Sequence, residues 1–320
     1  MRVMLTGASG FVGSNLAHVL AGHGVRLLAP SHAELDLCER EAVLGYAEEA
    51  SPEGIVHSAI WNDPGGLLGD RRRAWRSYVH ATRNLIDAAN RADAQIVLIS
   101  TDWVFDGEQA PALEDDPPNP INTYGLLKCA CELLVLNLAR RGTVARVAGV
   151  QGIHRARPQT PRSQDTGFGY LALSVVQALS RGDRFTVWTG PGVNERATPV
   201  LATHAAEMVY RALTRERTGV LHCVGGEHAD RLGLARAAAL AFGLDPGLID
   251  TGPVPVGQSP DGRVPRDTRL QALSTASALD MELPGLADLL AGLREQWREP
   301  TPSPGRVPDP TVTTREDEHA

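Results

Sequence analysis

The sequence has few cysteines, and their spacing is not that of a metal or redox site. Its 320 residues include four: Cys38, Cys129, Cys131 and Cys223. No pair is spaced as CxxC, and a helix would point Cys129 and Cys131 away from each other. We therefore predict reduced thiols that pack in the protein interior, and no metal site.

The chain also lacks long apolar segments and blocks of basic residues. No segment approaches the roughly 18 apolar residues of a membrane span, and the first apolar run leads straight into glycine-rich sequence, unlike a signal peptide. The net charge is −7, and the longest cationic run is Arg71–Arg73. No nucleic acid and no membrane partner is therefore expected. We predict a cytoplasmic protein whose oligomeric state the sequence leaves open, a homodimer being one possibility.

With 42% hydrophobic residues, the chain is long enough for one large core or two smaller ones. Alternating strand-like and helix-like segments predict an α/β fold: a doubly wound parallel (Rossmann) sheet with a smaller, mostly helical C-terminal substrate lobe. We assign residues 1–152 to the first domain, with residues 197–225 returning to it. Residues 153–196 and 226–298 form the second lobe, and residues 299–320 are predicted to be a disordered tail.

A glycine-rich turn follows the first predicted strand, residues 2–5, and precedes a predicted helix over residues 14–21. The turn is TGASGFVG, whose glycine spacing lets a backbone turn tightly, approach a pyrophosphate and pack the helix against the sheet. The helix N-terminus would offer N–H donors to the phosphates. The alternative is an ordinary glycine-rich turn between a strand and a helix. We predict that four residues here bind a dinucleotide: Gly7, Gly10, Phe11 and Val12.

The end of the second predicted strand, residues 25–29, bears on which dinucleotide is bound. An NAD-selective fold usually has an acidic residue there, but this sequence continues with Pro30, Ser31 and His32. Ser31 or His32 could bond to a 2′-phosphate, so we predict NADPH. Glu34 leaves NADH open because it follows closely.

The rest of the predicted cofactor groove lies further along the chain. Asp36 and Leu37 begin the next passage from strand to helix and are placed to touch the adenine, although Asp36 could instead cap a helix. A fourth strand is predicted over residues 54–59, and Ser58 and Ala59 at its end would line the groove.

Tyr124 and Lys128 are four residues apart on a predicted helix over residues 124–140, so their side chains share one face. A phenol has a pKa of about 10, and a neighbouring ammonium favours the phenolate. Thr101 ends the predicted strand over residues 95–100 and could present its hydroxyl to the same point. Together, these three side chains would bind a carbonyl oxygen. A Tyr and a Lys at this spacing also occur by chance on many helices.

Five segments together resemble a known family, the extended short-chain dehydrogenase/reductases, and within it the dTDP-4-dehydrorhamnose reductase group. The likeness extends to about residue 298 and rests on TGASGFVG, AELDL, STDWVFDG, DDPPNPINTYGLLKCACE and VPRDTRL. The resemblance implies an NAD(P)-dependent oxidoreductase that reduces the C4 carbonyl of a nucleotide-linked sugar. It makes Tyr124 the proton donor, Lys128 the ribose-binding group that tunes the phenol, and Thr101 the hydroxyl that orients the carbonyl.

The resemblance also suggests substrate-binding residues: Asp102, Trp103, Arg146 and Arg263. Two of these have ordinary alternatives, since Asp102 could cap the following turn and Arg146 could form an ion pair. Residues 154–169, rich in Arg, Pro, Gln and Gly, are predicted to form a mobile lid over the substrate.

Three residues depart from the family pattern. Trp103 stands where the reductases usually have Tyr, Tyr78 where the superfamily often has Asn, and His32 where an arginine often holds the adenosine phosphate. One competing interpretation is a sugar-nucleotide epimerase or dehydratase. Dehydratases that resemble this chain carry a Glu at the position of Trp103, because the C5 proton needs a base. Another is a non-catalytic nucleotide-binding regulatory subunit, since binding residues can outlive activity.

Overall fold

The computed structural model describes residues 1–61, 63–158, 163–258 and 262–299. The predicted disordered tail lies outside these residues from position 300 onward, as do residues 159–162 of the predicted lid. The β-strands are β1 (Arg2–Thr6), β2 (Arg26–Leu28), β3 (Gly54–His57), β4 (Gln95–Thr101), β5 (Gly142–Val147), β6 (Val150–Gln151), β7 (Phe185–Trp188), β8 (Arg196–Ala197), β9 (Val200–Leu201), β10 (Gly219–His222), β11 (Ala229–Asp230), β12 (Ile249–Gly252) and β13 (Asp267–Thr268).

The α-helices alternate with the strands along the first half of the chain and dominate the second half. They are α1 (Phe11–Gly22), α2 (Arg40–Ala50), α3 (Pro64–Gly69), α4 (Arg71–Trp75), α5 (Ala81–Arg91), α6 (Thr123–Leu138), α7 (Leu171–Ser180), α8 (Ala202–Thr214), α9 (Arg231–Ala241), α10 (Leu273–Leu279) and α11 (Leu286–Arg298). A π-helix (Arg76–His80) joins α4 to α5, and short 3₁₀ helices span Asp102–Val104 and Pro246–Leu248.

The main sheet has six parallel strands in the order β10-β5-β4-β3-β1-β2. Side chains alternate between its two faces because successive residues of a strand point in opposite directions. Met4 therefore packs on the face covered by α2, α5 and α6, whereas Val3 and Leu5 pack on the face covered by α1 and α8. Helices on both faces of a parallel sheet confirm the predicted doubly wound Rossmann fold.

Three helices of the second half, α7, α9 and α11, enclose a separate apolar cluster. Small sheets accompany them: β12 pairs with β7, and β8 lies between β11 and β13. The edge strand β10 pairs with β5 in the main sheet and comes from the segment that we predicted to return to the first domain. The division of the chain into two domains stays a prediction.

Two element predictions need correction. Residues 54–57 form the third strand of the chain and not the fourth, because Asp36 and Leu37 lie in a turn. The Asp36 carboxylate accepts a hydrogen bond from the N–H of Cys38 (2.9 Å), so it stabilises that turn and does not cap α2.

Candidate functional site

The glycine turn after β1 packs directly against the end of β3. Gly7 has a φ of +75°, and a Cβ atom built there would lie 2.6 Å from the backbone nitrogen of Ala59. Gly10 precedes α1, and its N–H donates to the Gly7 carbonyl (2.9 Å). Glycine is therefore required at position 7 for both conformation and space. The structure thus brings Gly7, Gly10, Ser58 and Ala59 to one edge of the sheet, as the sequence suggested.

The first turn of α1 faces this groove and the loop beyond β6. Phe11 and Val12 are half-buried, and the first turn has no acidic residue to offset the positive end of the helix dipole. The Phe11 ring lies 4.6 Å from the ring of Tyr170 and 6.1 Å from that of His154, centroid to centroid. The helix that would hold the phosphates therefore contacts His154, where the predicted lid begins, and Tyr170, the residue directly after it.

Glu34, the acidic residue that left NADH open, lies beside the end of β2. The Glu34 carboxylate accepts a hydrogen bond from the Ser31 N–H (2.7 Å), and hydrogen bonds from Ser31 lower the pKa of Glu34. Ser31 and His32 are both exposed. The spacing of Ser31 and Glu34, S-x-x-E, is the capping-box pattern and could have predicted this contact.

The predicted catalytic trio, Thr101, Tyr124 and Lys128, lies at the carboxyl end of β4. Helix α6 starts where the Asn122 side chain accepts a hydrogen bond from the Gly125 N–H (2.8 Å), and it presents Tyr124 and Lys128 to the strand. Buried Lys128 donates from Nζ to the Ile99 carbonyl (2.8 Å). The Thr101 side chain lies beside the Tyr124 phenol and acts to lower its pKa.

Burial determines the charge state of these groups. Loss of hydration raises the pKa of the Tyr124 phenol well above its ordinary value, and the neighbouring Thr101 side chain opposes this rise only in part. Burial lowers the pKa of Lys128, and burial together with the Lys128 charge lowers the pKa of His57 to about 3. We had expected Lys128 to favour the phenolate, but in the free protein burial outweighs that effect. Tyr124 therefore carries its proton, the state that a proton donor requires.

Two aromatic side chains flank the Tyr124 ring edge-on. The Trp103 ring centroid lies 6.2 Å from that of Tyr124, and the Tyr78 centroid lies 6.3 Å from it. Tyr78 belongs to the π-helix, and its ring centroid lies 5.9 Å from Lys128 Nζ. Two of the three residues that depart from the family pattern therefore border the predicted proton donor.

Asp102 directly follows Thr101 and is buried. Its Oδ1 accepts a hydrogen bond from Thr101 Oγ1 (3.0 Å), and its Oδ2 accepts one from Thr268 Oγ1. Burial nevertheless raises the pKa of Asp102 to about 6, because these hydrogen bonds only partly offset the lost hydration.

The predicted substrate residues Arg146 and Arg263 lie in different surroundings. Arg146 is 2% exposed and forms an ion pair with Glu132 (2.8 Å), which also accepts from Ser100 Oγ. The structure thus does not bring Arg146 to the surface of the cleft. Arg263 is exposed, and its carbonyl accepts from Asn122 Nδ2 (3.1 Å), which places it beside the start of α6.

A buried arginine that sequence reasoning missed holds the second half of the predicted lid. Arg231 donates to Gln164 Oε1 (2.9 Å), to the Asp165 carbonyl (2.9 Å) and to the Gly167 carbonyl. A Cβ built on Gly167 would lie 3.4 Å from the Trp103 ring, so this part of the loop borders the site. No sequence pattern pointed to Arg231, because an arginine that begins a helix is usually exposed.

Within the described ranges, no group of three or more His, Cys, Asp or Glu side chains could hold a metal ion. All four cysteines are free. None of the helices described here is long and apolar enough to cross a membrane.

Known proteins with similar sequences include an enzyme and a subunit of an enzyme. The dTDP-4-keto-6-deoxy-D-glucose reductase of Streptomyces niveus is 26% identical over 272 residues, which cover 84% of this chain and 88% of the relative. Methionine adenosyltransferase 2 subunit beta of Mus musculus is 33% identical over 260 residues, covering 76% of this chain and 72% of the relative.

A solved structure shows the same fold. The dTDP-4-dehydrorhamnose reductase of Bacillus anthracis, solved in complex with NADP, superimposes with a TM-score of 0.76 at 19% identity. The superposition covers 92% of this chain and 99% of that protein. The family described as RmlD substrate binding domain matches residues 1–291. The chain therefore belongs to the RmlD substrate binding domain family.

Proposed function

We propose that this protein is an NAD(P)H-dependent reductase of a nucleotide-linked 4-keto sugar, with NADPH favoured and NADH left open. The observation that carries the proposal is the meeting of Thr101, Tyr124 and Lys128 at the carboxyl end of β4. This end lies on the same edge of the sheet as the glycine turn after β1, with β3 between the two strands. Two strand spacings, about 10 Å, separate a pyrophosphate site from the trio.

The groove fits a dinucleotide on its own geometry. Gly7 leaves no room for a side chain against Ala59, and a Cβ on Gly10 would lie 3.2 Å from the Gly7 carbonyl oxygen. Glycine at these positions therefore keeps the turn tight, and the N–H groups of the first turn of α1 would bind a pyrophosphate. Gly7, Gly10, Phe11 and Val12 would hold the phosphates, and the reduced nicotinamide would supply hydride. NADP in the Bacillus anthracis relative supports this assignment.

The chain's own residues would supply the proton and stabilise charge. Tyr124 would donate its phenolic proton to the substrate oxygen as negative charge develops there, and the Thr101 hydroxyl would orient that oxygen. The Lys128 ammonium, fixed by the Ile99 carbonyl, would stabilise the phenolate left behind. Asp102, Trp103 and exposed Arg263 remain our proposals for contacts with the sugar nucleotide.

A regulatory subunit is the second candidate, because the Mus musculus relative is named as a subunit of another enzyme. Retention of the whole trio at the end of β4 favours catalysis instead. An epimerase or dehydratase is less well supported, since Trp103 offers no carboxylate to remove a C5 proton.

A panel of nucleotide-linked 4-keto sugars would test the proposal. We expect loss of reduced-cofactor absorbance with at least one member, and no loss with the corresponding 4-hydroxy sugars. Cofactor binding without turnover of any member would favour the regulatory subunit. Assays with NADPH and NADH in parallel would identify the preferred cofactor.

A further inference from the structure

The carboxylate of Asp102 is buried and is held by hydrogen bonds on both of its oxygens. The residue is 5% exposed, and each carboxylate oxygen accepts a hydrogen bond, one from Thr101 and one from Thr268. Thr101 adjoins Asp102 in the chain, but Thr268 lies 166 residues away on β13. The second contact therefore exists only because the fold brings β13 to the end of β4.

The hydrogen of the Thr268 hydroxyl has a defined direction. Asn194 Nδ2 donates to Thr268 Oγ1 (2.5 Å), and both residues are buried. An oxygen that already accepts from an amide directs its own hydrogen elsewhere, here toward the Asp102 carboxylate. Pairing of Thr268 with Ala197 in the β13–β8 ladder fixes the backbone behind it.

Asp102 in turn sets the direction of the Thr101 hydroxyl. Thr101 donates to Asp102 and accepts from the Trp103 N–H (3.2 Å), and its side chain interacts with the Tyr124 phenol. We propose that Thr268 is a positioning residue: it holds the Asp102 carboxylate against Thr101 and thereby fixes the Thr101 oxygen beside the Tyr124 phenol. This inference rests on the proposed function, in which the Tyr124 phenol must be oriented to donate its proton.

Thr268→Val tests the proposal because valine keeps the shape of threonine and removes the hydroxyl. We expect kcat to fall at least about tenfold while cofactor affinity stays within about twofold, since a misplaced hydroxyl affects the reacting oxygen and not the phosphates. Thr268→Ser should restore most of the activity. Thr275→Val is the matched control, because Thr275 is also buried but its hydroxyl donates to Glu114 (2.9 Å). Equal kcat in Thr268→Val and wild type would overturn the proposal.

Stability against pH gives a second measurement that needs no substrate. The hydrogen bond favours ionised Asp102, so its loss should cost more at pH 8 than at pH 5, on either side of the Asp102 pKa of about 6. Tyr124 faces Asp102 and stays neutral over this range because its pKa is raised. Asp267, next to Thr268, is paired with Arg269 and Arg196.

The urea midpoints of wild type and Thr268→Val should therefore differ more at pH 8 than at pH 5. If the difference between the two urea midpoints were the same at both pH values, Thr268 would not stabilise the ionised Asp102 carboxylate, and the proposal would be overturned.

If Thr268→Val does not fold, Asn194→Ala tests the same chain of hydrogen bonds, and an unchanged kcat there would also overturn the proposal. A wild type that reduces no 4-keto sugar would refute the proposed function, whereas the stability measurement would still test the contact.

Discussion

The Tyr124 hydroxyl is the group whose removal should separate chemistry from binding. Tyr124→Phe keeps the ring between Trp103 and Tyr78 and removes only the proton that the substrate oxygen would receive. We expect kcat for carbonyl reduction to fall at least about a hundredfold, and the dissociation constant of the cofactor to change less than about twofold. Steady-state kinetics and fluorescence titration would measure the two quantities. Turnover equal to that of wild type would remove Tyr124 from its role.

Glu34 places a fixed negative charge beside the predicted site of the 2′-phosphate. Its carboxylate already occupies the Ser31 N–H, which a phosphate would otherwise bind. Glu34→Gln removes the charge, so NADPH should bind roughly fivefold more tightly, with little change for NADH. Titrations at low salt would show the effect best. Glu41→Gln, exposed on α2, is the control and should change neither affinity.

At the scale of elements, the parts of the site set by local sequence were predictable. Strand β4 follows from an apolar run, and the i,i+4 spacing of Tyr124 and Lys128 places both side chains on one face of the predicted helix α6. Arg146 could not be placed, because its ion pair with Glu132 depends on how α6 packs on the sheet. The position of Thr268 could not be predicted either, because it lies on a two-residue strand, which is too short to show a sequence periodicity.

Helix α9 begins with the arginine that holds the loop after β6. Arg231→Met would leave the Gln164 side chain and the Asp165 carbonyl without their donor, so the second half of the predicted lid should open more often. We expect trypsin to cleave after Arg155 several-fold faster in the variant; Arg157 precedes Pro158, and trypsin does not cleave that bond. Arg236→Met, exposed on the same helix, is the control and should be cleaved like wild type.

A sugar nucleotide should slow cleavage of the wild-type loop if the loop is a lid. The sugar nucleotide should protect the loop less in Arg231→Met, because ordering the loop then lowers the net free energy of binding. If neither the ligand nor the substitution changed the rate of cleavage, the loop would not be a lid and Arg231 would not hold it.

At the scale of the whole molecule, buried ionisable groups join the sheet to the C-terminal segments. His222 on β10 approaches Arg146 on β5 (3.3 Å) and donates from Nδ1 to the Gln271 carbonyl (2.8 Å). Its backbone N–H donates to Thr275 on α10 (2.8 Å). Glu114, from the loop after β4, accepts two hydrogen bonds from the same threonine. We therefore expect protonation of His222 to change the stability of the contacts between the sheet and the C-terminal segments.

The free energy of unfolding should depend on pH through His222, and two buried aspartates should have the opposite effect. Burial lowers the pKa of His222 to about 4 from 6.5, so the unfolded chain binds a proton first as pH falls. The neutral imidazole thus stabilises the fold above pH 6.5, and this contribution is lost as pH falls toward 4. Asp102 and Asp165 oppose the trend, because burial raises the pKa of each to about 6.

A variant at position 222 isolates the histidine from the two aspartates. His222→Asn keeps a donor for the Gln271 carbonyl and cannot be protonated, so it should be less stable than wild type at pH 7. The gap in unfolding free energy should narrow by on the order of 2–3 kcal/mol between pH 7 and pH 4, because only wild type loses stability through this group. Urea unfolding at several pH values would measure the gap. A constant gap would show that His222 is protonated equally in the folded and unfolded chain, against the burial that the structure gives it.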